Sequence, residues 1–129
     1  MSEHLTRTDP PGIVGRKRVT VAEAEATPLR AGQRSAPVLA HGGMLMRFYA
    51  PHVSDEQTPH TRDELYVVAR GSGTFVNGGE RHPFGEGDVL FVPAGVEHRF
   101  EDFTEDFATW VVFYGPEGGE DSRGEGREP

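Results

Sequence analysis

Short strand-like segments, each closed by a glycine-rich turn, follow one another along most of the chain. The segments are rich in β-branched and aromatic residues, which favour strands. We predict strands at 36–40, 44–50, 64–69, 73–76, 80–84, 88–92, 97–100 and 107–114. Asn77-Gly78 is the strongest hairpin signal between two of them. Many short strands with turns at this rate predict an all-β sandwich or barrel.

One short helix is predicted before the first strand. Thr20 can act as its N-cap with Glu23 at the capping-box position, and Pro28 ends it. Residues 1–18 are polar and contain paired prolines, so we expect a mostly disordered or loosely docked arm. Residues 115–129 form an acidic, glycine-rich tail that we expect to be disordered. The folded domain should therefore span 19–114, with a barrel core at about 36–114.

Charge and cysteine content exclude several classes of partner. The chain carries 13 basic and 21 acidic side chains, which argues against nucleic acid because phosphate binding needs a basic face. No apolar run approaches the roughly 18–20 residues that cross a membrane, and the first residues lack the apolar core of a secretory signal. The absence of cysteine excludes disulfides and thiolate ligands. We expect a cytoplasmic protein.

His60 and Glu64 are suitable ligands for a divalent metal ion. On one straight strand they would lie about 13 Å apart, at roughly 3.3 Å per residue. Ligands of one ion each lie about 2 Å from it. If both bind one ion, the chain must turn near residues 61–63, and another part of the sequence must supply a third ligand.

A second motif supplies a candidate for the third ligand. Gly87, Pro93, Gly95 and His98 follow one another at the spacing glycine, five residues, proline, one residue, glycine, two residues, histidine. At this point the chain resembles the cupin superfamily, whose second motif has this pattern.

The first cupin motif matches in part. His60, Glu64 and Gly71 fit its pattern, but Thr58 stands where the family has its first histidine. Gln57 would point the opposite way on a strand, and His52 could replace the missing imidazole from a loop. Thr58 is a poorer ligand than imidazole, so the site should be unusually open.

The resemblance implies a double-stranded β-helix, or jelly-roll barrel, with a metal ion in its mouth. Carried over residue by residue, the ligands are His60, Glu64 and His98. This set of two histidines and one carboxylate suits Fe, Mn, Ni or Zn. The alternative is a metal-free cupin in which His60 and Glu64 are merely hydrogen-bonded.

Residue alternation gives candidates for the pocket around the ion. Tyr66 could donate a proton to a substrate. The proposed pocket wall consists of Thr58, Arg47, Phe48, Phe91, Phe100 and Trp110. Arg47 either points outward at a sheet edge, which we favour, or holds an anionic group of the substrate.

Three classes of function remain open, the third of which is a structural dimer that retains the motif without its function. The first is a metal-dependent oxidoreductase or isomerase that acts on a small oxygenated molecule by dioxygenase-, isomerase- or decarboxylase-type chemistry. The second is a non-catalytic module that binds a metal or small ligand as a sensor or store. Several strands are apolar on both faces, which predicts a homodimer because one face of a barrel strand needs a further cover.

Overall fold

The computed structural model describes residues 3–7, 9–10, 12–55 and 57–121. One helix, α1 (Val21–Ala26), precedes eight strands in this part of the chain. The strands are β1 (Ser35–His41), β2 (Met44–Tyr49), β3 (Asp63–Arg70), β4 (Gly73–Asn77), β5 (Glu80–Phe84), β6 (Val89–Val92), β7 (His98–Glu101) and β8 (Ala108–Tyr114). Every predicted strand is confirmed, with each end within one residue of its expected position.

Two antiparallel sheets face each other. The larger sheet has the order β1-β2-β8-β3-β6, and the smaller has the order β5-β4-β7. Strand β8 lies between β2 and β3, so the chain returns from its end to the middle of the first sheet. This wrapped, all-antiparallel arrangement confirms the jelly-roll barrel.

The core lies between the two sheets and is strongly aromatic. Its buried members include Tyr66, Phe75, Phe84, Phe100 and Phe113. Tyr66 and Phe100 meet edge to face with ring centroids 4.9 Å apart, a favourable geometry for aromatic pairs. The interior of the barrel is therefore filled by aromatic rings in mutual contact.

Alternation along β3 separates an inner from an outer face. Glu64, Tyr66 and Val68 are buried, whereas Leu65 and Val67 are only partly covered. Glu64 pairs with Phe113 and Tyr66 pairs with Val111 on β8, and all four belong to the inner face. The inner face of β3 thus brings one carboxylate into an otherwise apolar core.

Helix α1 covers part of the outer face. Thr20 and Glu23 form the predicted capping box, and the helix ends at Ala26, close to the predicted stop. Ala24 is buried in a cluster with Phe48 and Ala108 of the large sheet. Among the described residues, no helix is long and apolar enough to cross a membrane.

The arm and the tail meet near Arg62. Glu3 accepts hydrogen bonds from the backbone N–H of Thr61 and of Arg62. Arg62 Nε donates to the Gly115 carbonyl, and Gly118 N–H donates to the Thr61 carbonyl. These contacts are more specific than the loose arm and disordered tail that the sequence suggested, while residues 122–129 lie outside the described part of the chain.

Candidate metal centre

The structure brings His60, Glu64 and His98 together. A ligand atom of each lies within 4.8 Å of the others. The three side chains are buried, with 6%, 0% and 2% of their residues' surface exposed, respectively. The cluster therefore has the composition and the compactness of a site that could hold a metal ion.

The predicted turn between the first two ligands is present. The chain bends at Thr61 and Arg62, and β3 begins only at Asp63. The Gly95 N–H donates to the His60 carbonyl at 2.7 Å, which ties the Pro-Gly turn of the second motif to the first. Gly95 has φ near +81°, a conformation that strongly favours glycine. The two motifs are thus joined through backbone as well as through the ligands.

His98 presents one nitrogen to the cluster because its other nitrogen is occupied. Nδ1 lies 2.8 Å from the Val96 carbonyl, an acceptor, so Nδ1 carries a proton. In the neutral ring, Nε2 then has a free lone pair, and it lies 2.8 Å from Glu64 Oε1. This fixed ring orientation is typical of metal-ligating histidines.

The polar atoms at the centre of the cluster lack hydrogen-bond partners. Among the described residues, Glu64 Oε1, Glu64 Oε2 and His98 Nε2 are buried without one, since the short contact between His98 and Glu64 is poorly aligned. Burying such groups unpaired is costly, and a divalent cation between them would satisfy all three at once. The donor set therefore fits a metal ion.

The pKa values of the two histidines shift in opposite directions. Burial lowers the pKa of His60, and the Glu64 carboxylate only partly opposes this. Burial also acts to lower the pKa of His98, but the close Glu64 carboxylate outweighs it and the net shift is upward. We attribute that upward shift mainly to the charge of Glu64, because the contact is not a well-formed hydrogen bond. Glu64 is therefore the electrostatic centre of the cluster.

Tyr66 lies beside the cluster and is joined to Gln57. Its hydroxyl donates to Gln57 Oε1 at 3.0 Å, and burial raises the pKa of Tyr66 well above its usual value. The phenol therefore keeps its proton, as a donor requires. Gln57 was considered and set aside on sequence grounds, because the alternation rule was applied to a residue that lies outside any strand.

Thr58 and His52 are not among the buried side chains that form the cluster. Thr58 is exposed. His52 is also exposed and lines an outer groove with Ala36 and Phe48, so it does not complete the site. The predicted position of Thr58 facing the ion followed from the motif spacing, which does not record which way a side chain turns in an irregular loop.

The outward orientation that we favoured for Arg47 is wrong. Arg47 is completely buried on the inner face, where its strand neighbour is Val111. Its guanidinium donates to Ser35 Oγ at 2.6 Å and to the Ser35 carbonyl at 2.7 Å. Arg47 thus anchors the edge strand β1 to β2, a role that the sequence of β2 alone does not reveal.

The aromatic candidates divide between the inside and the outside of the barrel. Phe100 lies inside, packed on Tyr66. Phe48 and Trp110 contact each other on the outer face, and Phe91 is 47% exposed opposite Leu65. Phe48, Trp110 and Phe91 therefore do not line the interior pocket. The sequence misassigned them because the strands carry apolar residues on both faces, so the pattern does not show which face is internal.

Comparison with known proteins identifies the family and the fold of the chain. The family model of Cupin_2, described as a cupin domain, matches residues 45–114, more than half of the chain. An uncharacterised protein of Streptomyces coelicolor is 42% identical over 64 residues. That match covers 50% of this chain and 61% of the relative, which is less than two thirds of its length.

Solved structures share the fold at low sequence identity. A cupin-2 domain protein from Shewanella frigidimarina aligns with a TM-score of 0.55 and 13% identity, over 67% of this chain and 85% of that one. A cupin 2 conserved barrel domain protein from Salinispora arenicola aligns with a TM-score of 0.55 and 21% identity, over 78% and 90% of the two chains. With the family match, the two motifs and the jelly-roll barrel in agreement, the chain belongs to the Cupin_2 family.

Proposed function

We propose that this protein binds a divalent metal ion through His60, Glu64 and His98 and acts on a small oxygenated organic molecule. The observation that carries the proposal is the convergence of three buried ligands whose central atoms lack hydrogen-bond partners among the described residues. Fe, Mn, Ni and Zn are all compatible with two imidazoles and a carboxylate. When bound, such an ion supplies Lewis acidity, or oxygen activation in the case of iron.

The residues of the chain have separate roles in this proposal. Glu64 supplies negative charge that the cation balances, and His98 is oriented by the Val96 carbonyl. Tyr66 holds a proton at its hydroxyl beside the cluster and is the candidate donor. The aromatic core beneath Tyr66 excludes water from this side of the site.

Metal content tests the proposal first. Protein purified without an affinity tag should contain close to one divalent ion per chain by elemental analysis, and His98→Ala should lose it. If the wild type contains far less than one ion per chain and His98→Ala contains the same amount, the proposed metal site is wrong. The variant His82→Ala is a matched control, because His82 is exposed on β5 and pairs only with Glu80 in the described contacts.

Activity separates the enzyme from its alternative. Oxygen uptake by the iron form with small diketones, catechols or thiols tests dioxygenase chemistry, and isomerisation and decarboxylation assays test the other two reactions. The second candidate is a non-catalytic module that binds a metal or small ligand as a sensor or store. The near-complete burial of all three ligands favours it, because a substrate must reach the ion. Stoichiometric metal without turnover in any metal form would support this module.

We also propose a homodimer formed through the outer face of the large sheet. Met46, Val67 and Trp110 lie there, only partly covered, and line an apolar groove with Val19. Analytical ultracentrifugation should show a dimer for the wild type and a monomer for Val67→Glu. A cytoplasmic location and the absence of a nucleic-acid partner stay predictions.

A further inference from the structure

We propose that Gln57 supplies its side-chain amide oxygen as a fourth protein ligand, in place of the histidine that Thr58 replaces. The inference rests on the proposed metal site and specifies its coordination. It reassigns the open position from an exposed threonine to a partly buried glutamine one residue earlier.

The position of the Gln57 amide oxygen supports this role. Gln57 Oε1 lies 3.3 Å from His60 Nε2, the same nitrogen that lies 3.7 Å from Glu64 Oε1. Two ligands at right angles, each about 2.1 Å from one ion, lie about 3 Å apart. The oxygen of Gln57 is therefore on the side of His60 that faces the ion, at a separation that suits two ligands of one ion.

The orientation of the Gln57 amide also suits a ligand. Gln57 Nε2 donates to Asp55 Oδ2 at 2.9 Å, and a carboxylate can only accept hydrogen bonds. The amide NH₂ must therefore point toward Asp55, which turns the carbonyl oxygen toward the cluster. Tyr66 donates to that oxygen, so two independent partners assign the same amide orientation.

Hydrogen bonds behind Gln57 hold its side chain in place. Asp55 accepts hydrogen bonds from the Tyr49 hydroxyl at 2.5 Å and from the Phe100 N–H at 2.7 Å. Phe100 belongs to β7, the strand that also carries His98. A chain of hydrogen bonds thus runs from the barrel through Asp55 to Gln57, and it holds the amide in place before any ion arrives.

The chemistry fits the same ions. An amide oxygen is a neutral donor with two lone pairs, so it can accept from Tyr66 and bind a cation at the same time. The ligand set becomes two imidazole nitrogens, one carboxylate and one amide oxygen. Compared with a third imidazole, this set has harder donors and leaves the net charge of the site unchanged.

Cobalt binding tests the inference directly. The tag-free protein is stripped with a chelator and reloaded with Co²⁺, and the affinity is measured by competition with a chromophoric chelator. The visible spectrum of bound Co²⁺ reports its ligands. The variants are Gln57→Ala and Gln57→Glu, and Thr58→Ala is the control because Thr58 is exposed beside Gln57.

We expect Gln57→Ala to weaken Co²⁺ binding by about 10–100-fold and to change the spectrum, a loss at least as large as that for supporting residues around a metal. Gln57→Glu should bind Co²⁺ with a shifted spectrum, and Thr58→Ala should match the wild type. If wild type binds Co²⁺ but both Gln57 variants keep its affinity and spectrum, the inference is overturned and the three-ligand site stands. If wild type binds no metal, the proposed function itself fails. Should Gln57→Ala be insoluble, an unchanged spectrum in Gln57→Glu would suffice to reject the inference.

Discussion

The candidate site has a strand half and a loop half, and the two are positioned by different forces. Glu64 and His98 belong to β3 and β7, where antiparallel pairing with neighbouring strands fixes them. His60 and Gln57 lie before β3 in a segment without regular structure. Side-chain hydrogen bonds to Asp55, and backbone bonds to Gly95 and Glu3, hold that segment. The strand half should therefore tolerate changes around it, whereas the loop half should depend on its supporting contacts.

The largest effect should follow a change in the strand half. Glu64→Gln removes the charge at the centre of the cluster and keeps the shape of the side chain. We expect metal affinity to fall by more than the roughly 100-fold that marks the loss of supporting residues. The metal-free variant should be at least as stable as wild type in urea, because a buried carboxylate without a hydrogen-bond partner is costly.

Glu80→Gln serves as the control for this change, since Glu80 is exposed on β5. Retained metal affinity in Glu64→Gln would show that the carboxylate is not a ligand. A large loss of stability in the metal-free variant would show that Glu64 has a structural role instead.

An intermediate effect should follow a change behind the loop half. Asp55→Asn places an amide against Gln57, Tyr49 and Phe100, so the orientation of the Gln57 amide is no longer determined. We expect metal affinity to fall by about tenfold and the free energy of unfolding to fall by about 1–3 kcal/mol. Competition titration and urea unfolding measure the two quantities.

Asp106→Asn is the matched control for Asp55→Asn, because Asp106 is exposed in the loop before β8. Unchanged metal affinity in Asp55→Asn would show that the loop half does not depend on its supporting contacts. The two halves of the site would then not differ in the way proposed.

The smallest effect on the metal should come from the arm. Glu3 is buried, accepts hydrogen bonds from the backbone of Thr61 and Arg62, and has a carboxylate oxygen 3.8 Å from His60 Nδ1. Glu3→Ala removes the acceptor of the buried Arg62 N–H, so we expect about 1–3 kcal/mol lower stability. His60 keeps its bond to Gly95, so metal affinity should change by less than about tenfold, below the range for groups that support a ligand directly.

Glu117→Ala should cost much less, because Glu117 forms an exposed pair with His4 and exposed ion pairs contribute little to stability. Equal stability losses in the two variants would mean that the buried contacts of Glu3 add nothing beyond a surface ion pair.

The sequence predicted the strand half well and the loop half poorly, for physical reasons. Glycine turns and β-branched runs are local signals, so every strand was found, and the motif spacing gave His60, Glu64 and His98. The orientation of Gln57 depends on Asp55 and Tyr66, partners that only the folded barrel brings close. Arg47 was misplaced for the same reason, because its partner Ser35 lies on another strand.

The outer face shows a second limit of sequence patterns. Alternation divides Phe48 and Trp110 from Arg47 and Val111, but it does not say which group faces the barrel. Both faces carry large apolar side chains, so hydrophobicity alone does not identify the internal face. The structure decides through the pairing of β2 with β8, which puts Phe48 beside Trp110 under helix α1.

The most direct measurement is an anomalous difference map from crystals of the Zn²⁺- or Co²⁺-loaded protein. We expect one strong peak about 2.0–2.2 Å from His60 Nε2, His98 Nε2 and a Glu64 carboxylate oxygen. If the map shows no peak among these three side chains, or shows the ion only at a surface pair such as His82 and Glu80, the proposed metal centre is wrong.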